Sequence, residues 1–297
     1  MGMNVMEALK KGTWVLKDKN IPVPRLEAEM LMAHVLKCQR HDLYLAADRE
    51  LDNTQTQQYF ILVEKRSSGY PIQYIISRRE FMGLDFYVDQ RVLIPRADTE
   101  VLVEYVIEWT SGQNSDLHIL DLGTGSGAIA VSLAVFIPGA YVTAADISPG
   151  ALEVARYNAR LHGVQERITF LEGDMFSPLS CCPGIRSFDA VVSNPPYIPS
   201  GDIEMLEPQV RDYEPRLALD GGNDGLWFYD RLAQGCTDWL KPGGLLAVEV
   251  GYGQSEAVKS IFKSAGCYQN IGAAKDLAGI ERVVYAIYIP STDGRWL

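Results

Sequence analysis

From residue 118 to residue 289 short apolar runs alternate with longer segments of helical periodicity, and this alternation leaves few folds open. Residues 118–122, 141–145, 168–172, 188–193, 245–250 and 283–289 read as strands, and residues 127–136, 150–162, 225–239 and 254–265 as helices between most of them. Strands separated by helices pair in parallel and bury both faces under those helices, so the expected architecture is a doubly wound, mainly parallel α/β sheet. Ligands bind such sheets beyond the carboxyl ends of the strands. The residues that follow each strand therefore carry most of the functional information. No internal repeat or low-complexity segment interrupts the pattern.

The first strand ends in Asp121-Leu122-Gly123-Thr124-Gly125-Ser126-Gly127 and runs directly into an apolar helix. Glycines at alternate positions let the backbone turn sharply and let a ligand approach where a Cβ would clash, so Gly123, Thr124, Gly125, Ser126 and Gly127 form a candidate nucleotide-binding loop. Asp146, at the end of the second strand, stands where such folds place a carboxylate for ribose hydroxyls. The spacing Gly123-x-Gly125-x-x-Ala128 also fits a dinucleotide fingerprint. After the third strand comes Gly173-Asp174-Met175, where Met175 can reach an adenine ring; a plain turn capped by Asp174 is the alternative.

The fourth strand is followed by Ser193-Asn194-Pro195-Pro196-Tyr197. Consecutive prolines lack N–H groups and fix φ, which makes a stiff turn rich in acceptors. The Asn194 side-chain oxygen and the Pro195 carbonyl can each accept a hydrogen bond from a planar NH2 group, and Tyr197 offers a flat face to its π-system. A surface Pro-Pro turn is the bland alternative. A nicotinamide enzyme has no need for an amide-holding turn here, whereas a methyl donor and an amine-type acceptor must meet at one edge.

Residues 1–70 have a separate helical periodicity, with Val5, Leu9, Trp14 and Leu16, then Leu26, Met30, Leu31, His34 and Val35, then Tyr59, Phe60, Leu62 and Val63 recurring on apolar faces. Pro22 and Pro24 separate the first helix from the second, and Gly69-Tyr70-Pro71 ends the last. Residues 72–76 and 81–88, flanking a polar turn at 77–80, read as a β-hairpin, so that residues 71–92 link the helical domain to an α/β domain over 93–297. A helix starts near Asp98 or Thr99, with Glu100 and Glu104 early, where its dipole favours anions.

Composition removes some partners. Over 297 residues the net charge is −11, which disfavours duplex DNA and anionic membranes. Five cysteines include the adjacent Cys181 and Cys182 but no Cys-x-x-Cys, which suggests neither a disulfide framework nor a metal site. His34 and His41 lie beside apolar residues and read as packing. With no apolar signal core and no membrane-length segment, a soluble cytoplasmic protein is expected.

A larger set of motifs spans residues 70–290: the glycine loop, Ala145-Asp146-Ile147-Ser148, Asn158-Ala159, Gly173-Asp174, Asn194 through Pro199, Glu214-Pro215, Ala218-Leu219, Gly221-Gly222 and Pro242-Gly243-Gly244. With Pro71-Ile72-Gln73-Tyr74-Ile75, Glu80-Phe81, Leu93-Ile94-Pro95-Arg96 and Asp98-Thr99-Glu100, this set resembles the S-adenosylmethionine-dependent glutamine methyltransferases of peptide chain release factors, the HemK/PrmC family. The resemblance implies a seven-stranded methyltransferase sheet with a small amino-terminal helical domain that docks substrate. It implies methylation of the glutamine in the Gly-Gly-Gln loop of class 1 release factors. The cofactor would lie on Gly123–Gly127, Asp146, Met175 and Asn194, and the substrate amide on Asn194, Pro195, Pro196 and Tyr197, of which Asn194, Pro195 and Tyr197 are the catalytic candidates. Ser77 departs from the family pattern, which has glycine there. An adenine methyltransferase of nucleic acid would use the same turn, but a basic groove and a target-recognition insert would be expected, whereas the chain is acidic and has no large insert after residue 200. A non-catalytic cofactor-binding adaptor would have no need of it.

Overall fold

The computed structural model describes residues 2–113, 116–181 and 187–290. It divides into two units, Met1–Arg78 with Glu207–Tyr213, and Arg79–Leu206 with Glu214–Leu297.

The first unit is helical: α1 (Val5–Asp18), α2 (Pro24–Leu36), α3 (Asp42–Leu45), α4 (Asn53–Ser67), α5 (Ile72–Ile76) and the returning α9 (Pro208–Arg211). α1 opens on a capping box in which Asn4 Oδ1 accepts from the Glu7 N–H at 2.8 Å and Glu7 accepts from the Asn4 N–H at 3.2 Å. Asp52 and Gln55 repeat the device at α4, while α2 begins on Pro24, whose fixed φ suits a first turn. Val5, Leu9, Leu16, Leu31, Met32, Tyr59 and Val63 make the core. Trp14, expected on the apolar face, is instead 68% exposed.

Residues 72–76 depart from the expected strand and form α5. Pro71 leads into the helix and Ser77 closes it in the left-handed conformation at φ 52°, so the helix fits one turn between two stops. Ile72 and Ile75, three apart, both enter the helical core, and that burial outweighs the strand preference of β-branched residues. Ser77 thus occupies a helix C-cap and no hairpin turn, and a left-handed C-cap is a position that favours glycine. The hairpin lies further on, as β1 (Arg79–Phe81) and β2 (Leu84–Phe86). Met82 and Gly83 turn it at φ 53° and 70°, both left-handed, as a two-residue hairpin of the right twist demands. Glu100 Oε1 accepts from the Met82 N–H at 2.7 Å and holds this turn.

In the second unit, α6 (Glu100–Thr110), α7 (Ala128–Phe136), α8 (Pro149–Leu161), α10 (Trp227–Gly235) and α11 (Ser255–Ser264) cover a seven-stranded sheet. Its strands are β3 (Leu117–Leu122), β4 (Ala140–Asp146), β5 (Ile168–Glu172), β6 (Phe188–Ser193), β7 (Leu240–Glu249), β8 (Tyr268–Lys275) and β9 (Glu281–Tyr288), in the order β5-β4-β3-β6-β7-β9-β8. The five strands from β5 to β7 in that order run parallel; β9 is antiparallel to β7 and β8 to β9. Side chains alternate across it: Ile119, Val142 and Val192 join the α6 and α7 core, while Leu120, Val191 and Leu246 join the core with Leu232, Val258 and Phe262. β8 has no counterpart among the expected strands, because Tyr-Gln-Asn-Ile-Gly-Ala-Ala-Lys neither alternates nor runs apolar. It is an edge strand whose register shifts between Gln269 and Gly272, with Asn270 at φ 51°.

Register places the site. Leu122 pairs with Ala145 and with Ser193, and Ser193 with Val248, so four strands end in one row. The next residue of each is Gly123, Asp146, Asn194 and Glu249. β3 and β6 are neighbours although β4 and β5 intervene in sequence, which makes their carboxyl ends the topological switch point.

No described helix is long and apolar enough to cross a membrane. Among the described residues no group of three or more His, Cys, Asp or Glu could hold a metal ion, and Cys38, Cys236 and Cys267 are free thiols. Cys182 and the last seven residues of the expected α/β domain lie outside the described residues.

Candidate active site

A cavity of about 360 Å³ opens over this row of strand ends, in the size range of small-molecule sites. Gly123, Thr124, Gly125, Ser126, Asp146, Met175, Asn194 and Pro196 all line it. Gly127, Pro195 and Tyr197 do not.

The glycine loop is shaped by its backbone. Gly123 and Gly125 sit at φ 72° and 54°, and a Cβ on Gly123 would meet nothing within 4 Å, so the space above the loop is open and the left-handed backbone is what asks for glycine. Gly127, also left-handed at φ 79°, carries a second constraint: a Cβ there would lie 3.0 Å from that of Ala155, so its smallness lets α7 pack on α8. The Ala145 carbonyl accepts from the N–H groups of Gly123 and Thr124 at 2.9 and 3.1 Å. Buried Asn158 donates to the Ser126 carbonyl at 2.8 Å and exchanges hydrogen bonds with the Tyr87 backbone, which gives the Asn158-Ala159 motif its place.

Asp146 is tied to the same loop. Its Oδ2 accepts from the Gly125 N–H at 2.8 Å and its Oδ1 from the Ser148 N–H at 2.9 Å. Each oxygen keeps a lone pair, which suits a vicinal diol. Burial raises this carboxyl above its ordinary range and the backbone donors pull it back. Beneath the loop, wholly buried Asp121 accepts from the Thr124 hydroxyl at 2.6 Å through Oδ2, whereas Oδ1 has no hydrogen-bond partner. Burial pushes this carboxyl up to about 7.

Across the cavity, Asn194 Nδ2 donates to Thr99 Oγ1 at 3.1 Å. That bond orients the side-chain amide and leaves Oδ1 as a free acceptor. Tyr197 points elsewhere: its hydroxyl lies 3.4 Å from Glu249 Oε1, and its ring edge occupies the space a Cβ on Gly251 would need. Burial, reinforced by the Glu249 charge, raises its phenol.

The turn is braced mostly through backbone. Gln254 Nε2 donates to the Tyr197 carbonyl at 2.9 Å, the Ile198 N–H to the Leu219 carbonyl at 3.1 Å, and the Gly221 N–H to the Ile198 carbonyl at 2.8 Å. A Cβ on Gly221 would stand 2.7 Å from Tyr197 Cα, so the segment closes on the turn only with glycine there. Buried Glu214 accepts from Arg96 at 2.7 Å and from the Ile94 N–H at 3.2 Å, and it therefore joins two motifs that are 118 residues apart in sequence.

From the sequence Thr99 reads only as a helix start and part of a motif, Arg96 and Glu214 only as parts of motifs, and Glu249 has no role. Glu249 carried a signal, since it is the lone carboxylate in Leu-Leu-Ala-Val-Glu-Val, an otherwise apolar strand end. It is 1% exposed, its Oε2 has no hydrogen-bond partner, and burial pushes it up to about 7.

Residues 7–76 match the family model described as PrmC N-terminal domain, and residues 98–210 that described as Methyltransferase small domain. The chain is 45% identical to the release factor glutamine methyltransferase of Moorella thermoacetica over 96% of this chain and 98% of that one. It is also 45% identical to the enzyme of the same name from Geobacter sulfurreducens, over 91% of each. Among solved structures, the human methyltransferase 10 domain containing protein superposes with a TM-score of 0.50 at 16% identity, covering 70% of this chain and 90% of that one, a likeness of fold. Identity of this extent, over a sheet whose strand ends gather a glycine loop, a carboxylate and an Asn-Pro-Pro-Tyr turn, means that the chain belongs to the release factor glutamine methyltransferase family.

Proposed function

We propose that this chain methylates the side-chain amide nitrogen of the glutamine in the Gly-Gly-Gln motif of class 1 peptide chain release factors, with S-adenosylmethionine as methyl donor. The observation that carries the reading is the orientation of Asn194. Its NH2 group is turned to Thr99, so in the cavity that Asn194 lines the turn presents the Oδ1 acceptor to a substrate NH2 group.

When bound, S-adenosylmethionine supplies an electrophilic methyl group on a sulfonium. The open left-handed loop at Gly123–Ser126 fits its amino-acid portion, the two free lone pairs of Asp146 fit its ribose, and Met175 fits the edge of its adenine. Gly127 supports this cradle from behind, through the packing of α7 on α8. An amide nitrogen is a weak nucleophile because its lone pair is delocalised into the carbonyl. Asn194 Oδ1 and the Pro195 carbonyl accept its two N–H bonds, turn its face toward the donor and favour the pyramidal nitrogen of the transition state. Pro196 walls the amide, and Tyr197 fixes the end of the turn. Once alkylated, the nitrogen releases its proton to water without a dedicated base.

The helical unit serves as the docking surface for the intact release factor, a reading supported by its family match and by the exposed side chains of Trp14, Tyr44 and Leu45. The cytoplasm, where release factors work, is the matching compartment, and a net charge of −11 disfavours nucleic acid as substrate. The test is purified chain with labelled donor and either intact release factor or DNA, followed by mass spectrometry of the product. A methyl on the Gly-Gly-Gln glutamine is expected. A methyl on adenine, or none on either substrate, overturns the proposal.

A further inference from the structure

Asn194 and Tyr197 stand at the two ends of the turn, and both lead to one buried group. Asn194 Nδ2 donates to Thr99 Oγ1 at 3.1 Å, and the Tyr197 hydroxyl lies 3.4 Å from Glu249 Oε1. Thr99 is 4% exposed and Glu249 1%. Since the Thr99 oxygen is the acceptor for Asn194, its proton must go elsewhere. Its hydroxyl is the strongest of the groups that favour the charged form of Glu249, ahead of Tyr197 and Arg282. Glu249 Oε2 has no hydrogen-bond partner and is therefore the buried acceptor left open to the Thr99 proton. The Glu249 backbone carbonyl is held as well, by the Tyr229 hydroxyl at 2.9 Å.

We propose that Glu249, acting through Thr99, is a positioning residue that sets the side-chain amide of Asn194 acceptor-outward, so that one buried carboxylate aligns both ends of the Asn-Pro-Pro-Tyr turn for attack. The polarity runs in one direction. An ionised Glu249 can only accept, so it draws the Thr99 proton inward, Thr99 then accepts from Asn194 Nδ2, and Asn194 Oδ1 is left for the substrate. A protonated Glu249 can donate to Thr99 instead. The Thr99 hydroxyl is then free to donate to an inverted Asn194, whose NH2 group would face the substrate NH2 and repel it. The groups facing Glu249 are Asp98, which opposes its ionisation, and Arg282, Thr99 and Tyr197, which favour it, with Tyr229 coupled to its charge. Arg282 is shared with Asp98 and Asp276, both at 2.9 Å, so its charge is largely spoken for and burial dominates.

This inference rests on the glutamine-methyltransferase reading, and the wild-type chain is the control that separates the two. If wild type fails to methylate release factor, that reading falls; the relay is tested by differences among active variants. Thr99→Val keeps the volume and removes the hydroxyl, while Thr99→Ser keeps the hydroxyl. Loss of one oriented polar contact should lower kcat of Thr99→Val roughly 10- to 100-fold, with KM for release factor and affinity for S-adenosylmethionine within about threefold of wild type, and Thr99→Ser should recover most of the rate. Glu249→Gln keeps the shape and cannot ionise. In wild type, kcat should fall as pH drops through the region near 7 where Glu249 takes up a proton, and in Glu249→Gln that acid limb should flatten. Binding of S-adenosylmethionine by calorimetry confirms that each variant is folded. Equal losses in Thr99→Val and Thr99→Ser, a parallel fall in cofactor affinity, or an unchanged acid limb in Glu249→Gln would each overturn the relay.

Discussion

At the scale of single residues, the proposed chemistry depends on which way the Asn194 amide faces and on the lone pairs that Asp146 keeps free. Asp146→Ala leaves two backbone donors and a ribose diol without their acceptor, and should weaken S-adenosylmethionine binding by about 1–3 kcal/mol. Calorimetry checks this, and an unchanged affinity would remove Asp146 from the cofactor site. Asn194→Ala should slow methyl transfer by roughly a hundredfold while leaving that affinity nearly untouched. Asn194→Asp keeps an acceptor but cannot donate to Thr99, so it should retain more activity than Ala only if the acceptor matters more than the anchor. Single-turnover rates on release factor separate the two cases.

At the scale of elements, short stops decide what the chain becomes. Ser77 closes α5 in a left-handed conformation that costs an L residue about 1–2 kcal/mol, and Ser77→Gly should therefore raise the unfolding free energy by up to that amount. A lower midpoint in urea would mean that the serine side chain has a stabilising partner. Such stops also explain what could be read without coordinates. The parallel strands were legible because each is a short, mainly apolar run between turn formers. α5 was not, since Pro71 and Ser77 frame five residues whose strand preference is overridden by burial among α2 and α4. β8 was hidden for the opposite reason, being an edge strand with little to bury. In the site, the glycine loop, Asp146 and Asn194 announced themselves by residue type. Thr99 did not, because nothing local to it shows that Asn194, 95 residues on, will need an acceptor.

At the scale of the whole molecule, buried carboxylates couple stability to pH. Asp121 and Glu249 rise from ordinary values of 3.8 and 4.5 to about 7, so the folded chain holds their protons more tightly than the unfolded chain does. Their contribution is complete below about pH 4 and is lost as pH rises through about 7. Denaturant midpoints at about pH 5 and about pH 8 should show wild type losing more stability on the alkaline side than Asp121→Asn or Glu249→Gln. Steeper losses in the variants would reverse the sign. In the helical unit, Trp14→Ala with Leu45→Ala should raise KM for intact release factor and leave the rate on a short Gly-Gly-Gln peptide unchanged, which steady-state kinetics on the two substrates measures. The aligned ends of β3, β4, β6 and β7 carry one more implication, for the order of events during synthesis. Gly123, Asp146, Asn194 and Glu249, the four groups of the proposed site, come from four separate stretches of chain that only the assembled sheet brings into one row. On the proposed assignment, a nascent chain has no complete site until β7 has docked beside β6, so activity would arrive late and all at once.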